Sequence, residues 1–309
     1  MSKPTSHDAF VNSSLRGLAI LGVLTIHTLS SIHGDYLPSS GWSWVAIGLD
    51  QLARFSVPLF VALSGYGFWQ KYAGQPFNYL EFITRQAKKL LPWYVVASVT
   101  YSLIFLALPG WKALGDVGPI WRQLVRGTAD YQLYFVPMIF ELYLLFPVVK
   151  KLVEKLPWIS LGAGFLGELW LYQHATIMGG DQDQYRWFFT WIFYYILGML
   201  LPRIHAFLRG STRKILAVYA LAAGSCFYLI WRAATAVAAG VDPIIAMRFT
   251  QAETLVYAAF AVVALFAAAQ TASPVLVRRS TWLIRIGSWS YLIYLFHTLV
   301  LRLIFRFPW

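Results

Sequence analysis

The sequence predicts an all-α integral membrane protein, a bundle of about nine to ten transmembrane helices with one short interfacial helix. Three observations predict it. Only 12% of the residues are charged while 59% are hydrophobic, against about 25% charged in soluble domains, so most of the chain has no water-facing surface to cover. Apolar runs long enough to cross a bilayer recur from end to end. Basic residues cluster between those runs rather than within them. A soluble reading would need a very large dry core in one modest domain, which chains of this length rarely build.

The elements follow in order. A hydrocarbon core of ~30 Å needs about 20 apolar residues per helix. Suitable runs lie near 15–33, 43–69, 90–109, 131–149, 157–174, 187–202, 214–232, 250–270 and 286–307. The first is long, contains His27 and follows a polar start with one lysine, so it reads as a retained helix rather than a cleaved signal peptide. The stretch Asn78 to Leu91 carries Glu81, Arg85, Lys88 and Lys89 before Pro92 and reads as an interfacial helix entering the third span. No repeat or appended soluble domain is visible, so residues 1–309 are one membrane domain. Trp and Tyr recur near the run ends, as in interfacial belts.

Charge placement sets the orientation. With the N-terminus in the cytoplasm, 15 of the 25 lysines and arginines fall in inner loops and 6 in outer ones, the bias of a protein in a cell membrane with an anionic inner leaflet. The net charge of +12 therefore points to membrane lipids as partners and not to nucleic acid. The single cysteine, Cys226, excludes an intramolecular disulfide and a Cys-rich metal site, and no metal is expected.

Chemistry is sought where ionisable groups sit in spans, since each costs a few kcal/mol there. Arg16 and His27 share the first span, 11 residues apart. At about 100° per residue they return to within roughly 20° of one face, ~16 Å apart along the axis. One stripe thus presents a guanidinium at the inner end and an imidazole deep in the membrane; the bland alternative is a packed histidine and a snorkelling arginine. Gly17 and Gly22 would admit close neighbours. Arg85, Lys88 and Lys89 share a helical face by i, i+3, i+4 spacing and suit a polyphosphate, or else grip anionic lipid. Asp50 and Arg54 are spaced to pair. Ser64-Gly65 offers a small polar spot for a ligand. Glu141 and Glu168 are isolated carboxylates in spans, and Ser290, Tyr294 and His297 form a polar stripe on the last one.

Together these stretches resemble acyltransferase family 3, the multi-pass membrane O-acyltransferases. Leu15-Arg16-Gly17-Leu18-Ala19-Ile20 running to His27 is similar to the family's first helix, and Pro58-Leu59-Phe60 to Leu63-Ser64-Gly65-Tyr66 to its second-helix signature. Arg85 with Lys88 before Leu91-Pro92 resembles the paired basic residues. Tyr134-Phe135-Val136 followed by Tyr143-Leu144-Leu145-Phe146-Pro147, then Phe193 to Gly198, then Ser290-Tyr291 to Tyr294-Leu295-Phe296-His297 match three later patterns. Two positions depart: Lys88 stands where arginine is frequent, and Ile139-Phe140 with Glu141 one step on stands where domain-bearing members carry a Glu-Glu pair. The second departure favours the branch without an appended domain, which includes enzymes modifying exopolysaccharide.

The resemblance implies acyl transfer, usually acetyl, from cytoplasmic acetyl-CoA or another acyl-CoA to a hydroxyl of a cell-surface polysaccharide or its lipid-linked precursor. Its implied catalytic residues are His27, as general base or as acyl-carrying nucleophile, with His297 or Glu141 orienting it. The implied donor-binding residues are Arg16, Arg85, Lys88, Lys89 and Ser64. Two rivals come from other classes: a transporter or flippase of a glycan intermediate, which predicts broken helices or repeated halves, and a non-catalytic scaffold, which gives no reason for Arg16 and His27 to share a face. Oligomeric state is not legible.

Overall fold

The computed structural model describes residues 6–33, 41–107, 119–174, 184–242, 246–247 and 252–305, and among them there is no strand. The principal helices are α1 (Ser6–His33), α2 (Gly41–Leu52), α3 (Ser56–Tyr72), α4 (Tyr79–Ala107), α5 (Ile120–Arg126), α6 (Phe135–Lys155), α7 (Pro157–Gln173), α8 (Ile192–Leu208), α9 (Thr212–Ala238), α10 (Ala252–Gln270), α11 (Pro274–Arg279) and α12 (Thr281–Phe305). An all-helical answer is what hydrocarbon demands, because a helix satisfies its backbone polar groups internally.

Each of the nine apolar runs lies on helix. Six spans among the described residues are long and apolar enough to cross a membrane: Phe10–Leu29, Trp44–Tyr72, Tyr131–Lys155, Thr212–Ala238, Ala252–Gln270 and Thr281–Ile304. The second passes from α2 to α3 through a 3-10 turn at Ala53–Phe55, and the Asp50–Arg54 ion pair (2.6 Å) bridges that turn. The expected interfacial stretch and the third span are one helix, the 29-residue α4, which continues through Pro92. Proline removes a single ladder bond, and neighbouring side chains in a bundle engage the backbone nearby; here Tyr291 donates to the Leu90 carbonyl at 2.7 Å. Hydroxyls inside apolar helices bond back one turn, as Thr25 does to Leu21 O and Ser64 to Phe60 O, which removes their desolvation cost.

Two close helix pairs organise the bundle. A Cβ on Gly17 of α1 would lie 2.2 Å from the Leu283 carbonyl oxygen, and one on Gly287 of α12 would lie 1.8 Å from that of Ser13. In the second pair, Gly65 of α3 faces Tyr195 O (2.2 Å) and Gly198 of α8 faces Ala62 O (1.9 Å). No side chain fits at these positions, so the backbones meet directly, as small residues permit in membranes. Helices α3 and α8 form the centre, with Leu59, Tyr66, Tyr194 and Leu200 fully buried. Helix α9 is peripheral: only 11% of its most apolar stretch is inside the protein, and Phe227, Leu216 and Trp231 face outward. Cys226 is buried and free.

Candidate active site

Helices α1 and α12, locked together at Gly17 and Gly287, carry the two histidines. The rings of His27 and His297 lie 5.0 Å apart, centroid to centroid. A third ring, Tyr131, lies 5.0 Å from His27, and its hydroxyl is 3.1 Å from His27 Nδ1. His297 is 4% exposed, and its Nδ1 is 2.7 Å from the Tyr294 carbonyl. A carbonyl only accepts, so Nδ1 carries a proton there and Nε2 of the neutral ring is left as an acceptor. That Nε2 is buried and without a partner among the described residues.

Beneath the rings lies a polar network that sequence reasoning did not assemble. Arg302 Nη2 meets Asp130 Oδ1 at 2.7 Å, with the side chains 2% and 0% exposed. Asp130 also accepts the Tyr131 N–H at 2.9 Å and the Thr298 hydroxyl at 2.9 Å. Thr298 in turn bonds Gln132 Nε2 and the Tyr101 hydroxyl, each at 2.7 Å. Arg302 stacks over the Phe105 ring, 5.0 Å from its centroid. The residue before Tyr131 and the residue after His297 are thereby tied through one buried carboxylate. Buried charges need such pairing. Arg302 was visible as a cation within a span; a buried cation demands a carboxylate partner, and that demand was the signal pointing to Asp130.

On the other side of these rings is a cavity of about 360 Å³ whose lining includes Arg16, Lys71, Arg85 and Lys89. Four cations on α1, α3 and α4 therefore converge on one hollow. Arg16 Nε donates to Asn12 Oδ1 at 2.9 Å, and Arg85 Nη2 to the Tyr72 hydroxyl at 3.1 Å. Arg85 also approaches Glu81 (3.5 Å) at the exposed surface. Ser64 and Tyr143 line the cavity and bond each other at 3.4 Å. Lys71, a loop cation by sequence, joins the set because α3 extends to Tyr72.

The remaining candidates are placed elsewhere. Lys88 lies with Leu80, Glu81 and Thr84 in a shallow outer depression, away from the cavity that its neighbour Lys89 lines. Glu141 accepts the Phe188 N–H at 3.3 Å and so holds the 3-10 turn Phe188–Thr190. Glu168 is fully buried and accepts the Tyr172 hydroxyl at 2.5 Å.

The cavity and the histidines are separated by aromatic rings. Phe60, Phe135 and Tyr294 line the cavity, and neither histidine does. Tyr294 packs 5.2 Å from Phe135 and 5.8 Å from His297, and Phe60 lies 6.3 Å from Phe135. The Tyr294 hydroxyl donates to the Gln132 carbonyl, which fixes its ring. The arrangement is a cationic hollow leading to a ring layer, with two imidazoles behind it. Such a site can hold an anion and exchange a proton at a shielded centre.

A family model described as an acyltransferase domain, that of acyltransferase family 3, matches residues 13–307. No curated protein and no solved structure matches the chain. The match takes in both histidines, all four cavity cations and the Asp130–Arg302 pair, and the chain belongs to acyltransferase family 3 as a multi-pass membrane acyltransferase.

Proposed function

We propose that the protein is a membrane O-acyltransferase that moves an acetyl group from cytoplasmic acetyl-CoA to a hydroxyl of a cell-surface polysaccharide or its lipid-linked precursor. The N-terminus is cytoplasmic in this reading, and the protein resides in the cell membrane. The carrying observation is the cavity lined by Arg16, Lys71, Arg85 and Lys89 that ends at rings packed on His297, itself 5.0 Å from His27. Coenzyme A is an anionic nucleotide with a long neutral arm. Its phosphates suit the exposed cations at the mouth, where Arg85 offers paired N–H donors, and its arm suits the apolar depth.

The chemistry follows from the histidine pair. His27 takes the proton of the acceptor hydroxyl as its oxygen attacks the thioester carbonyl. The C–S bond then breaks, and the imidazolium returns that proton to the leaving thiolate. For His27 to act through Nε2, Nδ1 must hold a hydrogen. The Tyr131 oxygen at 3.1 Å can accept it and so select the tautomer. His297 Nε2, an acceptor, is placed to hold the acceptor hydroxyl beside His27.

The test uses full-length protein in nanodiscs with labelled acetyl-CoA, following release of coenzyme A with and without a polysaccharide acceptor. His27→Ala is expected to lose at least about 10²-fold in turnover, the usual contribution of a general base, while still binding acetyl-CoA. Equal turnover by the two proteins would sink the reading.

A further inference from the structure

We propose that the ring layer of Phe60, Phe135 and Tyr294 determines acyl-chain length, admitting a two-carbon acyl group to the histidines and turning away longer ones. The inference rests on the donor-site reading above and extends it to specificity.

The cavity stops at this layer. The three rings line it, and the histidines lie beyond, with Tyr294 in contact with the cavity and with His297. A thioester held by the cations must therefore bring its carbonyl between the rings to meet His27, and whatever follows the carbonyl lies against their faces. The rings differ in how firmly they are held. Tyr294 is anchored through its hydroxyl to the Gln132 backbone, next to the turn that Asp130 ties to Arg302. Phe60 and Phe135 have no polar tether, are only half-buried, and pack edge-on at 6.3 Å. One wall is fixed by hydrogen bonding and the other by packing alone, so the slot's width is set by the bulk at positions 60 and 135. A short acyl group fits where tightly packed rings leave a slot, and each further methylene must displace them. In an apolar pocket, one methylene is worth roughly 10- to 200-fold in discrimination.

The experiment compares release of coenzyme A from acetyl-, propionyl- and butyryl-CoA by wild type, Phe135→Ala and Phe60→Leu, all full-length in nanodiscs. Inhibition by free coenzyme A, which carries no acyl group, is measured in parallel. Wild type is expected to favour acetyl over butyryl strongly. Both variants are expected to raise the butyryl-to-acetyl ratio at least about tenfold, with inhibition by coenzyme A unchanged within twofold. Phe227→Ala, on the outward face of α9, serves as control and keeps the wild-type ratio. Phe60→Leu keeps most of the side-chain bulk and decides the matter if Phe135→Ala does not fold.

A wild type that turns over butyryl-CoA as readily as acetyl-CoA overturns the proposal. So does a folded variant that keeps the wild-type length profile. A wild type that neither binds nor turns over any acyl-CoA removes the donor-site reading itself, and the length proposal falls with it; binding by wild type with an unaltered profile in the variants removes the length proposal alone.

Discussion

The two sides of the ring layer are built on opposite principles. On the cavity side the cations are largely exposed and loosely held: Arg85 and Glu81 meet at 3.5 Å with 46% and 71% of their side chains exposed, a class of pair worth about 0–1 kcal/mol. On the histidine side the one ion pair is almost wholly enclosed, at 2.7 Å, with further bonds from Tyr131 N–H and Thr298. The first kind of site leaves charge available for an arriving anion. The second spends its charges on holding Tyr131 and His297 around His27. Substitutions on the cavity side should therefore be read in ligand affinity, and those beneath the histidines in stability and turnover together.

The largest effect tests the enclosed side. Arg302→Met strands the Asp130 carboxylate in a buried site, and removing one partner of such a pair costs about 3–5 kcal/mol. A large fall in thermal unfolding temperature is expected in nanodiscs or mild detergent. Adding Asp130→Leu removes the stranded charge and should recover part of the loss without restoring turnover, because the tie between the Tyr131 turn and α12 is gone. A double variant with full wild-type activity would show that the pair does not position the histidines.

Next comes the cavity side. Arg85→Ala is expected to raise the KM for acetyl-CoA by roughly tenfold, the scale of a charge-assisted hydrogen bond, with kcat and unfolding temperature little changed. Raising ionic strength should shrink the difference between the two proteins, since the contact is exposed. A fall in kcat with unchanged KM would place Arg85 outside donor binding.

A smaller effect separates positioning from packing. Tyr131→Phe keeps the ring 5.0 Å from His27 and deletes only the hydroxyl at 3.1 Å. A neutral hydrogen bond contributes about 0.5–1.5 kcal/mol, so kcat should fall by roughly 2- to 13-fold. KM for acetyl-CoA and the unfolding temperature should stay near wild type, and the pH profile of kcat should shift as the His27 tautomer loses its partner. An unchanged kcat would assign the hydroxyl a structural role only.

How much of this was legible depended on whether the signal was local. The helix runs, the Asp50–Arg54 pair and the Arg16–His27 stripe arise within single helices, where spacing alone fixes the geometry. Ser290 and Tyr294 were visible for the same reason, as one stripe on α12. The Asp130–Arg302 pair spans 172 positions and joins a 3-10 turn to the last helix, so no periodicity could reveal it. Lys71 escaped because its helix runs two or three residues past the apolar run. Glu141 sits near the end of a recognisable motif, yet its partner is a backbone N–H in a turn 47 residues away. The chain also smoothed one expected boundary: Pro92 was read as the start of a new helix, but within a packed bundle it costs one bond and α4 passes straight through.

The smallest effect concerns two adjacent lysines that the sequence placed on one face. Lys89 lines the cavity with Arg85, whereas Lys88 lies in the outer depression beside Glu81. At about 100° per residue, neighbours on a helix necessarily diverge, and a shared stripe of three cations can point only part of its breadth into a hollow. Lys89→Ala should therefore raise the KM for acetyl-CoA several-fold, while Lys88→Ala should change it by no more than about twofold, the residual being the long-range field of one exposed charge. Anionic lipid offers a sharper contrast. If Lys88 grips the bilayer surface and not the donor, its substitution should weaken dependence on anionic lipid in the nanodisc, at about 1 kcal/mol per lysine near the surface, and leave donor affinity untouched. Equal KM increases in the two variants would mean that both ammonium groups reach the donor, and the stripe would then act as the single three-cation face that helical spacing alone suggested.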